Sequence, residues 1–343
     1  MTHESARFHE STFPSRPIRD LGLAIPGTRL EPVLAEFARE LARAGITGVR
    51  PRFYLSTEWG VPFETVAIAI PFYLAHPELT ALHAERAGHV EGTGRADVLR
   101  YLRHEMGHVV NYAWRLYDDP RWVEAFGAIT QPYEEDYRPE PFSRRFVRHL
   151  PGWYAQKHPD EDWAETFAVW MTPGLDWRAE YAGWPTALAK LELCDALMRE
   201  VRGRAPLVTE EELDEDVGEI EYSLDEFYRR AEDPARDTLP PGLDGALRAI
   251  FEDLGDGVGI SPEAPSPAGA LIRALERTLA ANVYRWTGHF PERTAPLVRH
   301  LARRADALHL GFAPEREREA VVALTTLVTA LAMNHVHRGH YLP

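Results

Sequence analysis

The sequence predicts an α+β fold over residues 21–205, followed by a mostly helical region over 241–343. Three observations carry this. Apolar residues recur at helical spacing on both sides of residue 205, and two short runs rich in β-branched and aromatic residues, Arg52–Ser56 and Thr65–Ile70, lie near the start. Between the two regions the composition turns acidic, with ten Asp and Glu and no Lys or Arg from Pro206 to Glu226, which reads as a solvated linker over 206–240. At 343 residues the chain has room for about two units of roughly 150 residues each.

Taken in order, residues 1–20 hold two prolines and little periodicity, and read as a flexible lead-in. Thr28 and Glu31 then form a capping-box pair ahead of Leu30, Val33, Leu34, Phe37 and Leu41, which share one helical face, with Gly45 as the stop. After the two strands, an apolar stripe of Val98, Leu99, Leu102, Met106, Val109, Val110 and Ala113 predicts a helix from about Arg95 to Leu116. Residues 120–158 are rich in Pro and aromatics and predict loops with short helices. Further helices are expected over 159–171, 186–201, 268–286, 293–309 and 314–337.

Composition narrows the function classes. Lys and Arg number 38 against 53 Asp and Glu, and a net charge of −15 repels phosphate backbones and anionic lipid, so neither nucleic acid nor membrane is the expected partner. The longest apolar stretch, Ala320–Met333, is shorter than the roughly 18 residues a bilayer span requires. The polar start of the chain and its one cysteine, Cys194, suggest a reduced, cytoplasmic protein. Leu191, Leu193 and Leu197 around Cys194 mark it as a core thiol.

His104-Glu-Met-Gly-His108 carries the chemistry. Four residues is 400° of helical rotation, so both imidazoles lie one turn apart on one face and can reach a single metal ion. Glu105 projects about 100° away, unable to compete as a ligand but placed to take a proton from water. Downstream, Pro159 favours a helix start, and Glu161 and Glu165 are again one turn apart. A catalytic zinc takes three protein ligands and leaves one position for water, and His₂Glu is a common set. Spacing alone permits either Glu161 or Glu165 as the third ligand, the other accepting the Nδ1–H of a ligating histidine.

These motifs resemble the gluzincin metallopeptidases. The stretch Glu161-Asp-Trp-Ala-Glu165 is similar to the lethal-factor-type and Pro-Pro-endopeptidase-type members. The wider run from Leu21 to Val201 resembles the bacterial putative zinc-binding metallopeptidase family, through Arg52–Ser56, Ala69–Ala75, Arg103–His108 and Trp153–Pro173. The resemblance implies a zincin-like domain with a small mixed sheet and an active-site helix. It implies Glu161 as the third zinc ligand, Glu165 as partner of a ligating histidine, and Tyr154, seven residues before Glu161, as a donor to the oxyanion. It further implies that a peptide substrate pairs with the strand before the metal helix, at Ala67, Ile68, Ala69 and Ile70. The expected function is a metallopeptidase with one Zn²⁺ per chain and Glu105 as general base, acting on a peptide or protein substrate. A non-catalytic zinc-binding scaffold and a hydrolase of non-peptide amides are the alternatives. Residues 109–160 are expected to fold over the site as a wall or lid. His76, His83, His89, His149 and His158 lack ligand spacing and are expected to be structural or on the surface. His335, His337 and His340 sit where cations favour a helix C-terminus.

Overall fold

The computed structural model describes residues 15–87, 90–133, 137, 139–140, 142–230, 243–254, 265–339 and 341. Residues 1–14 of the expected lead-in, His89, His340 and residues 231–240 of the expected linker lie outside the described residues.

Helix α1 (Leu30–Ala44) ends at Gly45, whose φ of 78° closes it in the left-handed conformation. The Thr28–Glu31 pair works one residue off the expected box: Glu31 accepts from the Gly27 N–H at 2.8 Å, while the Leu30 N–H reaches Thr28 Oγ1 at 3.2 Å. Strands β1 (Arg52–Ser56) and β2 (Ala67–Pro71) pair in parallel, Arg52 opposite Ala67 and Ser56 opposite Pro71. Such a pairing needs a crossover, and the connecting loop swings round so that Gly60 bridges Ala69 from the far side of β2. The sheet of this domain is thus two parallel strands plus an antiparallel bridge.

Two helices follow, α2 (Pro77–Arg86), an addition to the expected helices that starts at Pro77, and α3 (Arg95–Trp114). Then come α4 (Pro120–Phe126), α5 (Pro159–Met171), α6 (Trp177–Glu180) and α7 (Pro185–Val201). One core joins α1, α3, α5, α7 and the sheet, with Phe37, Leu102, Trp122, Trp163 and Phe167 fully buried. Arg103 on α3 clamps Glu40 on α1 with two hydrogen bonds of 2.9 Å, both side chains nearly buried.

The acidic run is not a free tether. The Val66 N–H donates to Glu210 O at 2.7 Å, the Val217 N–H to Leu55 O at 2.9 Å, and the Ile18 N–H to Tyr222 O at 3.0 Å. Val217, Ile220 and Leu224 enter the first core, leading into α8 (Leu224–Arg230). The apolar residues between the acids anchor the segment while the carboxylates face water. Within the linker expected over 206–240, the described residues up to Arg230 are thus tied to the first core rather than free of it.

A second core lies in the carboxy-terminal region. It is built from α9 (Asp244–Ile250), β3 (Glu252–Asp253), β4 (Ser266–Pro267), α10 (Ala268–Thr287), α11 (Pro291–Ala307), β5 (Leu310–Phe312) and α12 (Glu317–Arg338). The three short strands form an antiparallel sheet in the order β3-β5-β4, an addition to the expected bundle. One helical stretch, Pro314–Arg338, is long and apolar enough to cross a membrane by length and composition. Here Leu324, Val328, Leu331 and Ala332 are its buried face in this core. The two regions meet where Gly152 and Gly288, both at positive φ, face each other's chains. A Cβ on Gly152 would stand 2.8 Å from Tyr284, and one on Gly288 3.1 Å from Trp153.

Candidate metal centre

The centre is made where α3 crosses α5. Gly107, inside the histidine motif, lets the helices meet: a Cβ there would lie 2.6 Å from the Cα of Ala164. The Trp163 indole N–H donates to Gly107 O at 2.8 Å and locks the crossing. Helix α5 begins with Pro159 after His158, whose Nδ1 accepts the Asp160 N–H at 3.2 Å. Its first turn carries Asp160, Glu161 and Asp162, all buried. Three adjacent carboxylates are tolerated there because the free amide groups and the helix dipole offer positive potential. Asp162 turns away to a buried ion pair with Lys190 on α7.

At the crossing, His104 Nε2 lies 3.0 Å from Glu161 Oε2 and 3.2 Å from His108 Nε2, which is itself 3.3 Å from Glu161 Oε2. Among the described residues, His104, His108 and Glu161 are the one buried trio whose ligand atoms gather in this way. The outer nitrogens are held as well. His104 Nδ1 is 2.9 Å from Glu165 Oε1, and Glu165 Oε2 accepts the N–H groups of His149 and Leu150 at 3.0 and 2.9 Å. His108 Nδ1 is 2.9 Å from Asp160 Oδ2, and Asp160 also accepts from Asn111 at 2.7 Å and from the Tyr112 hydroxyl.

The donor set fits a divalent cation. With each Nδ1–H given to a carboxylate, both Nε2 atoms present lone pairs to each other and to Glu161, an arrangement that repels unless positive charge sits between them. Ligand atoms about 2.1 Å from a tetrahedral metal ion stand about 3.4 Å apart, close to the 3.0–3.3 Å found here. The charges agree. Burial alone would lower His104, but hydrogen bonds donated by its ring to the carboxylates of Glu161 and Glu165 outweigh it and hold the ring at about 9. For His108, burial is outweighed by the charges of Asp160 and Glu161, which hold it well above its ordinary value. Glu161, against the effect of burial, is pulled well below the carboxylate range by the two histidines. The pocket is thus short of positive charge. These residues can hold a metal ion.

Glu105 lines the same cavity and is pushed up to about 7 by burial, against the pull of His104 and His108. The cavity holds about 540 Å³. One wall is the loop Glu58–Phe63; the other comes from Ile129, Gln131 and Tyr133 of the 109–160 insertion. Tyr154 lines it too, its ring 5.5 Å from that of His104, and burial raises its hydroxyl well above the ordinary value. The Tyr133 hydroxyl donates to Glu161 Oε1 at 2.7 Å and lies 3.5 Å from that of Tyr154.

The structure therefore brings His104, Glu105, His108, Glu161, Glu165 and Tyr154 together, with Glu161 rather than Glu165 facing the two Nε2 atoms. It does not bring Ala67, Ile68, Ala69 and Ile70 to the cavity. They are buried, and the Ala69 N–H is already bonded to Gly60 O at 2.8 Å, so Gly60 stands between β2 and the opening. Asp160 and Tyr133 escaped sequence reasoning. The row of acids directly behind a helix-starting proline was the available signal for Asp160; Tyr133 left none. His149 is half-buried, its Nε2 2.9 Å from Arg100 O, and desolvation draws it down to about 4. His76 caps α2, and Cys194 is buried in the core.

No family model matches the chain, and neither does any curated protein or solved structure.

Proposed function

We propose that the chain is a zinc-dependent hydrolase of peptide bonds. The observation that carries this reading is a His₂Glu trio with its ligand atoms 3.0–3.3 Å apart, in a cavity also lined by a buried carboxyl group, Glu105, that burial raises to about 7. Among the described residues no fourth side chain joins the trio, as a catalytic rather than a structural site requires. The motif resemblance described above points the same way and supplies the zincin-like reading of the domain.

His104, His108 and Glu161 would hold the ion, and a zinc there supplies a Lewis acid that acidifies water and polarises a carbonyl. Asp160 and Glu165 hold both imidazoles in the tautomer that keeps Nε2 free. A carboxyl group near neutral in affinity is suited to both halves of proton transfer. Glu105 accepts the proton of the attacking water at a carboxylate oxygen and returns it to the leaving amine nitrogen. The hydroxyl of Tyr154, which lines the cavity beside His104, is the available donor to the oxyanion of the tetrahedral intermediate, since that of Tyr133 is already given to Glu161. Trp59, Val61, Phe63 and Ile129 give the cleft an apolar wall for a substrate side chain. The backbone edge that lines the cavity is Trp59–Val61, so an extended peptide would pair there rather than with β2.

The test is the Glu105→Gln protein. Like the wild type, it should bind about one zinc per chain, but it should lose roughly 10²–10⁴-fold in turnover of a peptide library. Undiminished cleavage by that variant, or wild-type protein that retains no zinc, would overturn the proposal. Cleavage of acyl amides with none of peptides would assign the non-peptide reaction instead.

A further inference from the structure

A second cavity, of about 160 Å³, opens at the seam between the two regions. That is several times the roughly 30 Å³ that one liquid water occupies. Its walls come from Arg100 on α3, from the turn Arg148–Trp153, and from Arg285 and Trp286 in the last turn of α10. Arg100, Arg148 and Arg285 line it and, among the described residues, no Asp or Glu does, in a chain with 53 acidic residues against 38 basic ones.

The cations are presented rather than neutralised. The Arg148 Cζ lies 3.9 Å from the Trp153 ring centre and 4.8 Å from that of Trp184, so the guanidinium is held by its faces and its N–H rim is left to bond in plane. Among the described residues neither Arg148 nor Arg285 has an ion pair, and Arg100 reaches Asp97 at 4.0 Å. Burial draws Arg148 below its ordinary value, with Tyr181 opposing. Trp153 adds a buried indole N–H that finds no acceptor among the described residues. Trp286 leaves a large apolar face beside the opening, being 68% exposed.

Like charges gathered with only the distant Asp97 as counter-charge repel one another, and planar N–H forks match the two-pronged geometry of phosphate and carboxylate oxygens. We propose that this seam cavity is a binding site for an oxyanion, held by Arg100, Arg148 and Arg285. The oxyanion is either a free inorganic ion or the head group of a molecule whose ring lies on Trp286. The assignment is independent of the reaction at the metal centre.

The test is titration of the full chain with inorganic phosphate, phenyl phosphate and benzoate at constant ionic strength, followed by calorimetry and tryptophan fluorescence. One saturable site per chain is expected, with quenching of the tryptophans beside it. Arg285→Gln should weaken binding about tenfold or more, and Arg148→Gln likewise. Arg285 is exposed, so its variant should melt with the wild type and remain interpretable should Arg148→Gln loosen the turn. Phenyl phosphate binding more tightly than phosphate identifies a ring-bearing ligand, equal affinity a free anion, and preference for benzoate a carboxylate. No saturable binding of any of the three, or unchanged affinity in a folded Arg285→Gln protein, would refute the site.

Discussion

Substituting Gly107 by Ala adds one methyl group at the crossing that makes the metal centre. The new Cβ would stand 2.6 Å from the Cα of Ala164. Ordinary carbon–carbon contact is about 3.5–4.0 Å, so the helices must separate by roughly 1 Å. The obstacle is backbone, which cannot rotate out of the way. Overpacking of this kind costs about 1–3 kcal/mol, offset by up to about 1 kcal/mol from replacing a helical glycine. The net loss in stability is therefore modest. The effect on the site is larger, because the displacement falls between a helix carrying two ligands and a helix carrying the third. A shift of roughly 1 Å is half a coordination bond, and zinc affinity should fall by at least about tenfold. Competition with a chromophoric chelator measures it, and thermal melting of the metal-free protein measures the packing. Gly245 in α9 has no atom within 4 Å of an added Cβ, so Gly245→Ala should leave zinc binding alone and hold or raise stability. A Gly107→Ala protein with wild-type zinc affinity would refute the reasoning.

Three further outcomes are expected. Asp160→Asn should weaken zinc binding about 10–100-fold, since the hydrogen bond that orients His108 loses its charge; the same chelator competition checks it. Glu40→Ala should destabilise the first domain by about 3–5 kcal/mol in urea unfolding, because Arg103 is left nearly buried without its partner. His289 lies at about 3, lowered by burial and then by the charges of His335 and Arg293. Its folded value is below the ordinary 6.5, so the unfolded chain binds the extra proton, and stability is full above pH 6.5 and lost as pH falls towards 3. At pH 5 the carboxy-terminal region should be weaker by about 2 kcal/mol than at pH 8, a dependence that His289→Gln flattens.

How far the sequence could be read depended on the range of the signal. The histidine pair and the Glu161–Glu165 pair repeat at four residues, and a helix turns that spacing into a shared face without help from the rest of the chain. Their meeting depends on Gly107, whose role no local pattern announces. The loop Glu58–Phe63 and Tyr133 enter the site through tertiary contacts alone, which is why β2 was read as the substrate edge when Gly60 covers it. The acidic run misled for another reason. Its charge dominates the composition, but Val217, Ile220 and Leu224 decide where it lies, because burial of a few apolar side chains outweighs the preference of many carboxylates for water that they need not leave. In the carboxy-terminal region, strands of two or three residues are too short to show an alternation, so only the helices were legible.

The central claim is that two imidazoles and one carboxylate from crossing helices bind a single divalent ion. Crystals grown with zinc and measured at its absorption edge test it most directly. The account predicts one strong anomalous peak within about 2.0–2.2 Å of His104 Nε2, His108 Nε2 and Glu161 Oε2, with no fourth protein atom in contact. A peak elsewhere, or none with these three side chains ordered, would contradict it.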